Sequence, residues 1–175
     1  MRRLMLLRHA KSDWATPGAR DHDRPLTARG RESAAKMGAY MARHALMPDL
    51  VVASSATRVR ETLQELLPAF KTAPKVIEDK SLYETEAESL LATIKGTGKP
   101  IHNLLLVGHN PGLADLAALL MASGDVEVRQ RLLEKFPTGA LAVIDFALDD
   151  WTKLHPKAGR LDRFVIPRTL DAETA

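Results

Sequence analysis

The sequence contains no cysteine. This absence excludes a disulfide framework, a thiolate nucleophile and a cysteine-bound zinc ion. Long hydrophobic runs are also missing, since no segment approaches the ~20 apolar residues that a membrane-spanning helix needs. The apolar run near the start, Leu4–Leu7, stops at Arg8 and is shorter than the apolar core of a signal peptide. We therefore expect a cytoplasmic protein without a membrane partner.

Lysine and arginine form no basic block. The net charge of +3 is small, and the basic residues are scattered among aspartates and glutamates. Because a nucleic-acid surface usually needs a concentrated basic patch, the charge pattern argues against a nucleic-acid partner. Of the 175 residues, 45% are hydrophobic and 27% are charged, which is the balance of a globular protein with a substantial core. We expect one domain over residues 1–175, with a frayed end from about Thr169.

Short apolar runs alternate with segments of helical spacing along the chain. The runs predict buried strands at Leu4–Leu7, Asp49–Ala53 and Leu104–Val107, and weaker strands at 75–77 and 139–147. Helices are predicted after an N-cap at Thr27, from Ala56 to Leu67 before Pro68, from Glu86 to Lys95, and after Pro111. This alternation favours an α/β fold: a three-layer sandwich with a mostly parallel central sheet flanked by helices.

Polar residues come directly after the three clearest strands. They are, in chain order, Arg8 and His9, then Ser54 to Arg58, then Gly108 and His109. In open α/β sheets, ligands bind at the carboxyl ends of the strands. These three clusters, although distant in sequence, should therefore meet at one edge of the sheet.

The residue types in these clusters suit phosphoryl chemistry. An arginine presents a planar fork of donors that matches phosphate oxygens, and two arginines can neutralise a dianionic phosphoryl group. An imidazole can attack phosphorus directly as a covalent nucleophile. No histidines stand at metal-ligand spacing, so the positive charge must come from side chains, and we expect neither a metal nor an organic cofactor.

Three segments together resemble the histidine phosphatase superfamily. Leu7–Trp14 is similar to its Arg-His-Gly nucleophile loop, Ser54–Thr62 to its Ser-Pro-x-x-Arg-x-x-x-Thr segment, and Val107–Pro111 to its second-histidine segment. The three occur in the family's order and span most of the chain. Asp23–Thr27 with the following Gly30 resembles the small SixA-like branch, which contains phosphohistidine phosphatases. The resemblance implies a phosphoglycerate mutase-like fold.

The resemblance also implies roles for single residues. His9 would be the nucleophile, while Arg8, Arg58 and His109 would bind the phosphoryl group. Glu84 is the candidate acid for the leaving group, because it lies where many relatives keep an acid, although a carboxylate there also suits the first turn of a helix. Two rival acids lie in the loop after the nucleophile, Asp21 and Asp23.

The sequence departs from the family pattern at three positions. Ala10 stands in place of the usual glycine, which costs little if its φ is negative. Ala15 stands where many mutase-type members carry asparagine, and Ser55 replaces the proline of the second motif. These departures argue against a sugar-phosphate mutase more than against a phosphatase. The remaining histidines, expected at the surface, are His22, His44, His102 and His155, and the two tryptophans, expected to pack or to line a rim, are Trp14 and Trp151.

The expected function is hydrolysis of a phosphoryl group through a phosphohistidine on His9, with phosphohistidine in a protein as the substrate. The spans between motifs are short and leave little sequence for a lid, which suits a phosphate displayed on a protein. Three alternatives stay open at this point. They are a small-molecule phosphomonoesterase of the same superfamily, a nuclease-type enzyme that uses His9 and His109 as acid and base, and a non-catalytic phosphate-binding module.

Overall fold

The computed structural model describes residues 1–14 and 17–174. Ala15, one of the three departures from the family pattern, lies outside the described residues. The strands are β1 (Arg2–Arg8), β2 (Leu50–Ser54), β3 (Lys75–Asp79), β4 (Asn103–Gly108), β5 (Met121–Gly124), β6 (Leu141–Phe146) and β7 (Gly159–Val165). The α-helices are α1 (Ala28–Arg43), α2 (Thr57–Leu66), α3 (Ala87–Lys95), α4 (Gly112–Leu120), α5 (Val126–Glu134) and α6 (Pro167–Thr174).

All seven strands form one sheet in the order β3-β2-β4-β1-β6-β7-β5. The pairs β3–β2, β2–β4, β4–β1 and β7–β5 are parallel, whereas β6 runs antiparallel to both of its neighbours. The predicted α/β fold with a mostly parallel central sheet is therefore confirmed. The order places β2, β4 and β1 side by side, so the carboxyl ends of the three strands that carry the sequence motifs are adjacent.

The central strands are buried on both faces, which explains their continuous apolar runs. Successive side chains of a strand point to opposite faces. In β1, Leu4 and Leu6 pack in the core beneath α3, α4 and α5, whereas Met5 and Leu7 pack in the core beneath α1, α2 and α6. Helices on both faces make this the expected three-layer sandwich.

The second half of the chain contains elements that the sequence did not predict. One is α6, which runs through Thr169, where a frayed end was expected, and Leu170 is buried in the same core cluster as residues of α1 and α2. The strand β7 was not predicted, because charged residues interrupt its apolar pattern. One of them, Asp162, lies 3.7 Å from Arg3 of β1, which is two strands away in the sheet, so a strand that β7 does not pair with contributes to its stabilisation.

Candidate active site

Arg8, His9, Arg58 and His109 line one cavity of about 520 Å³ at the carboxyl ends of β1, β2 and β4. Arg8 ends β1, His9 follows it, and Arg58 lies in the first turn of α2 after β2. His109 follows β4. The sheet order thus brings together residues up to about a hundred positions apart, as the motif positions predicted.

His9 is held in one tautomer. Its side chain is 5% exposed, and its Nδ1 lies 2.8 Å from the carbonyl oxygen of Ala10. The Nε of Arg58, which can only donate, points at Nε2 of His9 over 3.4 Å. Nδ1 therefore carries the proton and donates a hydrogen bond to the carbonyl oxygen, and the lone pair of the ring lies on Nε2.

The surroundings also keep His9 neutral. Burial is the main cause that lowers its pKa to about 3, and the nearby His109, Arg58 and Arg8 lower it further, against the opposing effect of the Ala10 carbonyl. A neutral imidazole that keeps its lone pair on Nε2 is the nucleophilic form of histidine. The geometry and the electrostatics at this position therefore agree.

His109 lies beside His9, with the ring centroids 5.2 Å apart. Its Nε2 is 2.8 Å from the hydroxyl oxygen of Ser54, at the end of β2. Burial, followed by the charge of Arg58, lowers its pKa to about 4. His109 is thus neutral near pH 7 in this structure, and a bound anion would raise its pKa by favouring the charged form.

Arg8 and Arg58 are two guanidinium groups on one cavity. Arg8 donates from Nη1 to the carbonyl oxygen of Phe136 over 3.0 Å, and its buried Nε has no partner within the part of the chain that the structure describes. Burial lowers the pKa of Arg8, and the charge of Arg58 lowers it further. Two like charges held close together with spare donors favour an anion between them.

Asp21 fixes the orientation of Arg58. The Nη1 of Arg58 donates to the Asp21 carbonyl oxygen over 2.8 Å, and its Nη2 lies 3.2 Å from the Asp21 carboxylate. The same carboxylate accepts a hydrogen bond from the hydroxyl of Tyr83 and another from Nε of Arg24 over 3.0 Å. The Tyr83 hydrogen bond, then Arg58, lowers the pKa of Asp21 to about 2. Asp21 is therefore an ionised positioning residue, poorly suited to act as a general acid.

The other two candidate acids lie in different surroundings. Glu84 is exposed and lines an adjoining cavity of about 380 Å³, which Arg58 and His109 also line. Asp23 is exposed, lies 3.3 Å from Nε of Arg20 and lines neither cavity. Of the three carboxylates considered from the sequence, Asp21 and Glu84 both line this adjoining cavity, and of these two Asp21 is the one held by arginines.

Sequence reasoning missed His22. It was expected to be a surface residue, but it is partly buried, and its Nε2 lies 2.9 Å from the hydroxyl oxygen of Ser55. Its ring also packs edge-on against Tyr83 at 4.8 Å. No local pattern marked it, because its partners Ser55 and Tyr83 are distant in the sequence.

The two tryptophans fit the two roles expected for them. Trp14 is 78% exposed at the rim of the cavity that His9 and His109 line, with the Arg24 guanidinium 3.3 Å from its ring centre. Trp151 is fully buried, and its indole nitrogen donates to the carbonyl oxygen of Ile101 over 2.7 Å. Trp151 is thus a core residue, whereas Trp14 is placed to contact whatever enters the cavity.

Backbone and side-chain contacts hold the loop after β1 in place. The φ of Ala10 is not positive, so alanine replaces the usual glycine there without strain. The Ala10 amide donates to the hydroxyl of Thr62 over 3.0 Å, and that hydroxyl donates to the carbonyl of Arg58 over 2.6 Å. A Cβ on Gly30 would lie 2.2 Å from the Lys11 carbonyl oxygen, so glycine allows α1 to approach the loop.

The described residues contain neither a candidate metal centre nor a candidate membrane span. No group of three or more histidine, aspartate or glutamate side chains in residues 1–14 and 17–174 is arranged to hold a metal ion. Over the same residues, no helix is both long enough and apolar enough to cross a membrane.

Comparison with known proteins places the chain in a family. The model of the histidine phosphatase superfamily (branch 1) matches residues 4–94. The uncharacterized protein Rv1276c of Mycobacterium tuberculosis is 35% identical over 164 residues, which cover 93% of this chain and 100% of that protein. The chain therefore belongs to the histidine phosphatase superfamily, as the three motifs predicted.

Two solved structures refine the comparison. The SixA protein of Agrobacterium tumefaciens, named as a phosphohistidine phosphatase, is 31% identical with a TM-score of 0.77, over 95% of this chain and 98% of that one. A second SixA protein, from Nakamurella multipartitia, is 28% identical with a TM-score of 0.83, over 95% of this chain and 96% of that one. Both extend the similarity over nearly the whole chain, and they confirm the resemblance to the SixA-like branch.

Proposed function

We propose that this protein is a phosphatase that hydrolyses phosphohistidine in proteins through a covalent phosphohistidine on His9. The observation that carries the proposal is the state of His9. Its lone pair lies on Nε2, in a cavity lined by two guanidinium groups, and its pKa of about 3 keeps it neutral. Membership of a phosphatase superfamily supports the same reaction class.

In the first step, Arg8 and Arg58 bind the phosphoryl oxygens and Nε2 of His9 attacks phosphorus. A nitrogen–phosphorus bond forms as the bond to the leaving group breaks, and the leaving group departs with the bonding electron pair. The two arginines stabilise negative charge on the oxygens in the transition state. Both guanidinium groups already line the cavity, so this stabilisation is arranged before the substrate binds.

His109 provides a third contact to the phosphoryl group. Its pKa of about 4 means that it enters the reaction neutral. A dianionic phosphoryl group in the cavity opposes the effect of Arg58 and raises that pKa. A proton taken up by His109 on substrate binding then adds a charged hydrogen-bond donor that exists only when the substrate is bound.

In the second step, water hydrolyses the phospho-His9 intermediate. The oxygen of water bonds to phosphorus, the bond to Nε2 breaks, and the imidazole regains its lone pair. Water loses a proton to solvent or to a nearby base, and inorganic phosphate leaves. The protein then returns to the neutral His9 of the structure, and no metal or organic cofactor takes part.

The leaving group decides how much acid catalysis is needed. Imidazole departs readily once it is protonated, so a phosphohistidine substrate makes a modest demand on Glu84. An alkyl phosphate makes a larger one, because an alkoxide is a poor leaving group. Since Glu84 is exposed and bonded to no described side chain, its surroundings suit the first kind of substrate better.

A small-molecule phosphomonoesterase is the second candidate. The observation in its favour is the adjoining cavity of about 380 Å³ with Tyr83 and Glu84 in its wall. That cavity could hold the leaving group of a small ester beside the phosphoryl site. Turnover of a panel that contains a phosphohistidine protein, sugar phosphates and an aryl phosphate separates the two candidates, because the preferred substrate shows the highest kcat/KM.

Rapid quench with labelled substrate tests the mechanism. Label on His9 that survives mild alkali and is lost in acid, and that is absent in His9→Ala, is the expected result. His9→Ala should lose turnover by on the order of 10⁴ or more, as when a nucleophile is removed. The control is His155→Ala, an exposed histidine far from the motifs, which should react normally, and a chelator should change nothing.

Other labelling results would contradict the proposal. Normal turnover by His9→Ala, or label on a serine, would exclude the covalent route. Cleavage of a phosphodiester without a phospho-enzyme would favour the nuclease-type alternative. Binding of phosphate without turnover of any substrate would favour the non-catalytic module.

A further inference from the structure

A second cavity, of about 540 Å³, lies next to the active-site cavity and shares Lys11 and Thr138 with it. We call it the basic cavity, because four cationic side chains line it. They are Lys11, Arg29, Lys135 and Arg168. The four come from four separate elements: the nucleophile loop, α1, the end of α5 and α6. The mechanism proposed above uses none of them.

The described residues do not balance the charge of the basic cavity. None of its four cations has an ion-pair or side-chain hydrogen-bond partner among the described residues, whereas Arg31 and Arg60 each contact a glutamate. The acidic residue in the lining, Asp171, is itself 2.7 Å from Lys36. Four cations on one cavity repel each other, so an anion that enters relieves the repulsion.

Two of the cations lie in the first turn of a helix, where acidic residues are usual. Arg29 lies in the first turn of α1 and Arg168 in the first turn of α6, and neither first turn contains an acidic residue. The amino-terminal end of a helix is positive, so cations there are unfavourable and anions are attracted. The helix ends therefore add to the positive potential of the basic cavity.

The character of the lining indicates the kind of anion. All four cations are exposed on long side chains, and the wall between them is formed by Pro137, Ile166 and Pro167. A small phosphate is usually held by fixed, buried donors such as Arg58, which this cavity does not present. Spread, flexible charges over an apolar wall suit an extended polypeptide whose acidic residues can each find a cation.

We propose that the basic cavity binds acidic residues of the polypeptide that carries the phosphorylated histidine. This inference rests on the proposed function and narrows its substrate class to phosphohistidine with acidic neighbours in the chain. Because Lys11 and Thr138 line both cavities, a chain that places its phosphoryl group against His9 can continue directly into the basic cavity. Selectivity for the substrate protein would then come from charge rather than from a lid.

The test uses two synthetic peptides that each contain one phosphohistidine and differ only in having glutamates or glutamines around it. Wild-type protein should show a kcat/KM about tenfold higher for the acidic peptide at low salt, since each exposed ion pair contributes modestly. The preference should shrink near 1 M salt, where the Debye length is about 3 Å. Equal kcat/KM values for the two peptides at low salt would refute the proposal.

A triple variant tests whether the basic cavity causes the preference for the acidic peptide. R29Q/K135Q/R168Q should lose the preference for the acidic peptide but keep wild-type activity on the glutamine peptide and on an aryl phosphate. Lys11 is not replaced, because it also lines the active-site cavity. The matched control is K71Q/K75Q/K95Q, which removes the same charge from exposed lysines elsewhere. An equal loss in this control would assign the preference to net charge and refute the basic cavity as its source.

A binding measurement separates this proposal from the proposed function. Fluorescence anisotropy with the unphosphorylated acidic peptide should show binding to wild type that weakens about tenfold in R29Q/K135Q/R168Q. If neither phosphopeptide is hydrolysed but this binding difference is found, the proposed function is wrong, whereas the proposal that the basic cavity binds acidic polypeptide is supported. If the triple variant weakens the binding of an alkyl bisphosphate but not the binding of the acidic peptide, the cavity binds a small molecule and the polypeptide proposal fails.

Discussion

The neutral state of His9 has a measurable cost at acid pH. In the folded protein its pKa is about 3, whereas an unfolded histidine has a pKa near 6.5. The folded pKa is the lower of the two, so the full stability is present above pH 6.5. As the pH falls below 6.5 the unfolded chain takes up a proton that folded His9 refuses, and stability is lost until the pH reaches the folded pKa.

The size of this loss follows from the two pKa values. At pH 5 the imidazole of the unfolded chain is almost fully protonated and the buried one is neutral. Linkage then gives a loss of about 2 kcal/mol relative to pH 8. The loss of about 2 kcal/mol does not depend on the exact folded pKa of His9, as long as that pKa lies well below 5. Because His9 is only 5% exposed, solvent screening reduces this loss little.

Urea denaturation at pH 8 and pH 5 measures the effect in wild type and in His9→Gln. The variant cannot take up this proton, so its stability relative to wild type should rise by about 2 kcal/mol from pH 8 to pH 5. His155→Gln, which removes an exposed histidine, should show no comparable gain. If wild type and His9→Gln lose stability in parallel as the pH falls, then His9 is not held neutral and the reasoning about its nucleophilic state is wrong.

Three further substitutions test other parts of the site. Arg58→Ala should lower kcat/KM for an aryl phosphate by roughly 10²–10³ and weaken inhibition by vanadate, and retention of both would exclude Arg58 as a phosphoryl ligand. Glu84→Gln should slow alkyl phosphates strongly and aryl phosphates little, and an equal loss on both would exclude it as the acid. Gly30→Ala places a methyl group 2.2 Å from the Lys11 carbonyl, so urea denaturation should show a loss of about 1–3 kcal/mol together with lower turnover. Gly98→Ala, whose nearest non-neighbouring atom would be 3.6 Å away, is its control.

The sequence predicts the central sheet well, because the burial of a strand on both faces produces a continuous apolar run. The segment Leu104–Val107 shows this pattern and forms the middle of β4, and β4 lies between β1 and β2 in the sheet. The strand β7 was not predictable in the same way. Its charged residues are stabilised by partners from distant parts of the chain: Arg163, for example, donates to the hydroxyl of Tyr40 over 3.0 Å. Such a pair is visible only after the fold brings the two residues together.

The same distinction applies to the candidate site. His9, Arg58 and His109 could be placed from the sequence, because each follows a strand and the ends of parallel strands meet. The supporting residues could not, because their importance depends on contacts across the chain. Tyr83 contacts Asp21, which is 62 positions earlier, through the side chain alone. No local pattern marks that pair, whereas an arginine and a histidine after an apolar run form a pattern.

Asp21 shows why these supporting contacts matter for the chemistry. An arginine with free rotation would have to be ordered each time a substrate binds, and that ordering would weaken binding. Here the carbonyl and carboxylate of Asp21 accept from Nη1 and Nη2 of Arg58, which leaves Nε directed at Nε2 of His9. The carboxylate is held in turn by Arg24 and Tyr83. The guanidinium is therefore oriented by groups of the protein before any phosphoryl group arrives, and the one bond it makes to His9 also selects the tautomer that can attack.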